Sequence, residues 1–278
     1  MCAQLFLRIV SFFLMTLILP LTAFAVPIVF SDSGLDVAGI QAGVDSFRAA
    51  LGDPNNGSTP GPLPSGRREI NWDGGGTTTT SVSVTPFTGF QDIRGALLTT
   101  PGTGFVQATT AGLAVQFSNP TYETIFQAFS PQRLFAPIGS NVTDISFFIP
   151  GTSGGIATTV SAFGVVFSDV DLANMTSMEF FDVNGGSLGT YFALPENEGL
   201  SFLGVQFDDE LIGRVRITTG NSSLGPNDVG GVDVVAMDDF LYAEPGAAAA
   251  VPEPSTMLLL GSGLIGLAGY GRKKVFKK

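Results

Sequence analysis

The chain has 278 residues, with 13 Lys and Arg, 24 Asp and Glu and no histidine, which excludes nucleophile-histidine catalysis and His-ligated zinc or iron at the outset. Between Val26 and Ala250 every basic residue is an arginine, seven of them against 23 carboxylates, for a formal charge of −16. A field of that sign repels nucleic acid and anionic lipid and favours cations, and without a lysine no Walker-type phosphate loop can form in this segment.

At the N-terminus, Arg8 precedes an apolar stretch from Ile9 to Leu21, and Ala23-Phe24-Ala25 supplies a small-x-small site. This order predicts a signal peptide over residues 1–25, cut by signal peptidase after Ala25. A retained membrane helix over Met1–Leu21 is the alternative, against which Pro20 and the small-residue site weigh. Cys2, the only cysteine, would leave with the peptide, so no disulfide framework or thiolate metal site is expected in the mature protein. About 225 residues then run to Ala250, enough for one substantial core with an extension.

The extension is predicted over residues 26–64 with one helix. Ile40, Val44, Phe47 and Leu51 fall on one face of a 3.6-residue period, and Gln41, Asp45 and Arg48 lie off it. Gly52 is placed to end the helix in a left-handed cap, and Pro54 cannot continue it. Residues 53–61 are a loop by turn chemistry.

Residues 65–74, Ser-Gly-Arg-Arg-Glu-Ile-Asn-Trp-Asp-Gly, form the densest polar cluster and hold the only tryptophan. Trp72 flanked by Asn71 and Asp73 is a constellation that can stack on a sugar ring and hydrogen-bond its hydroxyls. The alternative is structural: Trp72 pins the extension to the main domain while Arg68 and Glu69 pair. Residues Gly66 to Gly74 resemble an element shared by a family of exported bacterial proteins. The resemblance continues through Arg94-Gly-Ala, Pro101–Phe105, Phe163–Asp171 and Met237–Phe240. It implies export and transfers no activity. Gly102 and Gly104, inside one of these stretches, read as a turn and not as a nucleotide site.

From Thr77 onward short runs rich in Val, Ile, Phe and Thr alternate with Gly, Pro, Asn and Asp clusters, and no further helical period is evident. The class predicted is all-β, a jelly-roll-like β-sandwich over residues 65–245. Ile145, Phe147 and Ile149 share a face, as do Leu203, Val205 and Phe207. Val215 and Ile217 should point inward and Arg214 and Arg216 outward. Val160 to Phe167 is apolar on both faces and should lie centrally. Met178 to Val183 and Leu188 to Ala193 should form a hairpin through Asn184-Gly185-Gly186. Val232 to Tyr242 should be the last strand, and residues 246–251 a small-residue linker.

Carboxylates cluster at strand ends: Asp169 and Asp171, Asp208 and Asp209, Asp238 and Asp239. Hard oxygen ligands without histidine or thiolate would hold Ca2+, provided the clusters converge; otherwise they are solvated turns. Two carboxylates at suitable separation would also serve a glycosidase, although no motif selects a pair and a non-enzymatic domain is the expectation.

The chain closes with Pro252-Glu253-Pro254, an apolar run from Met257 to Tyr270 and a tail containing Arg272, Lys273 and Lys274. Fourteen helical residues span roughly 21 Å, less than the ~30 Å hydrocarbon core, so residues 257–270 predict a transmembrane helix that anchors only marginally. The basic tail would stay cytoplasmic. In these three parts, residues 252–278 resemble the PEP-CTERM sorting signal of exopolysaccharide-producing Gram-negative bacteria. The resemblance implies an exosortase-type enzyme as partner, transient inner-membrane association and delivery to the cell surface or extracellular matrix. Three readings follow for the delivered domain: a structural or adhesive component associated with exopolysaccharide, a calcium-supported carbohydrate-binding module, or a carboxylate-dependent glycosidase.

Overall fold

The computed structural model describes residues 26–208 and 212–246. The signal-peptide site at Ala23 and Ala25, Asp209, and the sorting segment with its apolar run lie outside the described residues. Among the described residues no helix is long and apolar enough to cross a membrane.

The chain between the terminal segments is an all-β sandwich of two antiparallel sheets. The larger sheet joins strands β1 (Ile28–Gly34), β2 (Arg67–Ile70), β3 (Ser81–Val84), β5 (Gly104–Ala108), β6 (Leu134–Ile138), β8 (Ala162–Val170), β11 (Glu196–Gln206) and β13 (Ala236–Ala243). Its order is β1-β11-β8-β13-β6-β5-β3, with β2 pairing the end of β13 beyond β6. The smaller sheet runs β10 (Ser187–Phe192), β9 (Ser177–Phe181), β12 (Arg214–Thr218), β7 (Val142–Phe147) and β4 (Ala96–Thr99). Phe147 meets Phe163 and Tyr242 across the interface, and Phe180 meets Phe207, so the two sheets share one aromatic core.

The alternation in β12 comes out as expected. Val215 and Ile217 are fully buried, and Arg214 and Arg216 both reach Asp144 on the neighbouring strand, at 2.7 and 2.9 Å, on the outer face. A one-residue slip would drive both arginines into the core. The hairpin of β9 and β10 is present, and β8 is buried along its whole length between β11 and β13.

β8 is buried on both faces because helices cover the side of the large sheet away from the small one. Helix α1 (Val37–Leu51) buries Ile40, Val44, Phe47 and Leu51, the face read from its period. Asp36 caps its start by accepting from the Gly39 amide at 3.1 Å. Phe47 seats where Gly164 and Gly204 are paired across β8 and β11: a Cβ on either would stand 2.7 or 2.8 Å from its ring. Glycine is required there for close approach, not for a turn.

Three expectations are corrected. Residues 26–64 are no separate extension, since β1 pairs β11 over seven residues as a sheet edge and α1 packs on the same sheet. The chain is not free of helix after Thr77: α2 (Thr110–Phe117) and α3 (Tyr122–Ile125) cover β5, β6 and β13 through Leu113, Ala114, Phe117 and Tyr122. Each is too short to repeat a helical period, which is why the sequence pattern passed over them. Gly52 ends α1 with its amide donating to the Arg48 carbonyl, but at φ 87° and ψ 168° it is not a left-handed cap.

Candidate functional site

β13 is where the polar residues gather. Met237 pairs Phe167 and Phe240 pairs Val165, so Asp238 and Asp239 together oppose the single residue Val166, which makes a β-bulge. On the other side of β13 the partner strand changes from β6 to β2 at this same place. The bulge therefore opens into the fork between β6 and β2, and the residues around it come from widely separated parts of the chain.

Trp72 closes the floor of that fork. It is 1% exposed, its ring lies parallel to Phe135 with centroids 3.7 Å apart, and the edges of Phe90 and Phe240 close its sides. Its indole N–H donates to the Asp238 carbonyl at 2.8 Å. No ring face is left for a sugar, so of the two readings offered for Trp72 the geometry fits the structural one. Asp73 is also buried, accepting from the amides of Gln132 and Arg133. Asn71 alone of the three is exposed.

The expected Arg68–Glu69 pair is likewise replaced. Arg68 turns inward to Glu244 at 2.7 Å with both side chains fully buried. Glu69 turns to the fork and is held by Arg48, at 3.0 and 3.2 Å, and by Arg67 at 2.6 Å. Successive residues of a strand face opposite sides, so the neighbours Arg68 and Glu69 in β2 cannot pair with each other.

Asp238 and Asp239 divide their work. Asp238 accepts from the amides of Phe129 and Ser130 at 2.6 and 3.2 Å, and burial together with Asp239 raises its pKa well above the usual carboxylate range. Asp239 accepts from the Ser130 hydroxyl at 2.6 Å and lies 3.5 Å from Arg48; burial raises its pKa to about 6. Above them lies a polar cavity of about 280 Å³ lined by Arg48, Asn55, Glu69, Asn71, Arg94, Ser130 and Asp239. A larger open groove of about 660 Å³ runs beside the β9–β10 turn, lined in part by Phe147, Phe148, Val183 and Arg214. The cavity is the richer in chemistry, combining two guanidinium groups, two carboxylates, two side-chain amides and a hydroxyl, and is suited to binding a small polar molecule.

The other carboxylates do not join this site. Asp169, at the end of β8, accepts from the Glu198 amide at 2.8 Å, and the amides of Asp171 and Leu172 donate to Asp233. Asp208 is exposed. Among the described residues no three carboxylates are grouped to hold a metal ion, so the condition set for a calcium site is not met among them. Asp233, Glu198, Arg48, Arg94 and Asn55 were not singled out as site residues by the sequence; only Arg94 carried a signal, as the start of one of the resembling stretches.

Burial gives these carboxylates a shared pH signature. Asp169 is raised to about 7, by burial first and then by Asp171 and Asp233, and Asp239 to about 6. A carboxyl whose folded pKa is raised contributes stability that is complete below its unfolded value and lost as pH rises through the folded one. These groups thus favour the fold at pH 5 over pH 8, and the urea midpoint should be higher at pH 5. Asp169→Asn, which keeps the acceptor for the Glu198 amide, should reduce that difference. A higher midpoint at pH 8 would contradict the assignment.

Residues 250–273 match the model of the PEP-CTERM protein-sorting motif. The chain is therefore an exported protein that passes through the membrane and is sorted by an exosortase-type enzyme. A search of curated proteins finds no match to the chain.

Proposed function

We propose that the sandwich is a structural or adhesive component of the cell surface or extracellular matrix, associated with exopolysaccharide and without catalytic activity. The observation that carries this reading is the sorting motif, which starts at residue 250, within a few residues of the end of β13 at Ala243. A folded domain is thereby held close to the membrane face until the segment after it is cut. Support for a non-catalytic role comes from the fork itself. Arg48 binds Glu69 and Asp239 together, and backbone amides hold Asp73 and Asp238, which leaves no carboxylate there free of a partner. The same engagement weighs against the glycosidase and the calcium-supported module.

The proposed route is removal of residues 1–25 by signal peptidase, retention through residues 257–270, cleavage near Pro252-Glu253-Pro254, and release to the surface. The rigid Pro-Glu-Pro would present the cut site, and Arg272, Lys273 and Lys274 would hold the tail on the cytoplasmic side. Changing Pro252 and Pro254 to Ala should leave export intact and accumulate an uncut precursor in the inner membrane. Intact mass of the surface protein, from strains with and without an exosortase, is the measurement. A species still ending at Lys278 in both strains would show a plain anchor, and absence from the exopolysaccharide fraction would reject the matrix role.

A further inference from the structure

Arg94 sets the cavity in the β6–β2 fork apart from an ordinary network of ion pairs. The other guanidinium lining the cavity is matched: Arg48 binds Glu69 and Asp239. Arg94 lines the cavity half-buried, its Nε and Nη1 are shielded from solvent, and neither nitrogen finds a hydrogen-bond partner among the described residues. What is fixed is its main chain, whose carbonyl accepts from the Tyr242 hydroxyl at 2.9 Å. A guanidinium carries five donors and cannot shed its charge, so leaving it unmatched is costly; the part of it that lines the cavity is what a ligand can reach, and a carboxylate suits it in charge and geometry.

The rest of the lining suits hydroxyls. Asn71 offers a donor and an acceptor, Asn55 a donor beside the oxygen that accepts from the Gly57 amide, and Asp239 has lone-pair sites beyond those used by Ser130 and Arg48. A bare anion would satisfy Arg94 and leave these groups unused; a neutral sugar would do the reverse. The volume of about 280 Å³ is at the low end for small-molecule sites and admits roughly one sugar ring.

We propose that this cavity is a subsite for a single sugar acid of the hexuronate class, with its carboxylate on Arg94 and its hydroxyls on Asn55, Asn71 and Asp239. The site names the kind of unit an exopolysaccharide would present, and only in that sense rests on the role proposed above.

Titration calorimetry on the full chain, held in a polyoxyethylene detergent that carries no sugar, tests it with glucuronate, galacturonate, glucose, acetate and sulfate. One of the two uronates should bind saturably, with glucose and acetate weaker by about tenfold or more, the factor expected for one charge-assisted hydrogen-bonding contact. Arg94→Met should weaken uronate binding by about tenfold or more with the melting temperature of the unliganded protein unchanged or raised, since no partner of its side chain is lost and a buried unmatched charge is removed. Asn71→Ala, at an exposed position, should weaken it less and still fold. Equal binding of acetate or sulfate, equal binding of glucose, wild-type affinity in Arg94→Met, or no saturable heat with either uronate would each overturn the proposal. None of these outcomes bears on cleavage at Pro252-Glu253-Pro254, so failure here and failure of the sorting experiment are separately visible.

Discussion

Arg68→Met should lower the stability of the domain by about 3–5 kcal/mol, the usual loss when one member of a buried ion pair is removed. The pair is closed to solvent on both sides: Arg68 and Glu244 are each 0% exposed, with two hydrogen bonds at 2.7 and 2.8 Å between them. Methionine fills much of the arginine's volume, so the loss comes from the carboxylate left without its counter-charge more than from a void. Glu244 would keep Asn56 and the Leu63 amide as donors, and the carbonyls of Gly57 and Thr59 would lose the guanidinium that now donates to them at 2.8 and 2.9 Å. Those contacts are what tie the irregular segment between α1 and β2 to the end of β13. Urea unfolding followed by circular dichroism measures the effect, and limited proteolysis should cut near residues 57–63 in the variant first. Arg68→Met combined with Glu244→Leu should recover a large part of the loss, because replacing both charges by apolar groups removes the unpaired carboxylate. A single variant as stable as the wild type would show that the carboxylate is satisfied without its arginine.

This ion pair also marks where sequence reading stops. The period of α1, the in-out alternation of β12 and the two-sided burial of β8 are local patterns, and each is set by which faces touch water; all three were legible. Glu244 lies 176 residues from Arg68, and nothing local to β2 indicates it, so the adjacent Glu69 looked like the natural partner. β1 was hidden for a different reason. It is an edge strand whose residues are half-buried or exposed, so Ile28–Gly34 carries no strong apolar signal, and its place is set by β11. The fork was legible only in part. Asn71 and Asp239 stand out by their residue types, whereas the sequence leaves a ligand role and a structural role both open for Trp72 and Asp73, because polar neighbours of a tryptophan can serve a ligand or main-chain amides equally well. Arg94 opens one of the resembling stretches, but nothing in the sequence marks it as a site residue, since what distinguishes it is that its surroundings give it no partner.

Trp72→Ala should cost about 3–5 kcal/mol and should also disturb the cavity above it. The side chain lies among Phe90, Phe135 and Phe240, and removing it would leave a void that three aromatic rings, two on different strands and one in the turn before β4, cannot all close. Its backbone adds a second constraint. Trp72 has φ 64°, a conformation costly for a bulky side chain, at about 1–3 kcal/mol, and held here by the stacking on Phe135 and the hydrogen bond to the Asp238 carbonyl. With both gone the chain would relax, and Asn71 and Asp73 on either side of it would move; Asp73 would then release the amides of Gln132 and Arg133. Trp72→Phe separates the two contributions, keeping the aromatic layer while losing the indole N–H, and should cost much less than the alanine change. Because Trp72 is the chain's only tryptophan, the wild type reports the environment directly: emission should be blue-shifted in the native state and move red on unfolding. If Trp72→Ala instead left the urea midpoint unchanged and removed only uronate binding, the residue would be a ligand contact and its structural role in the fork would be wrong.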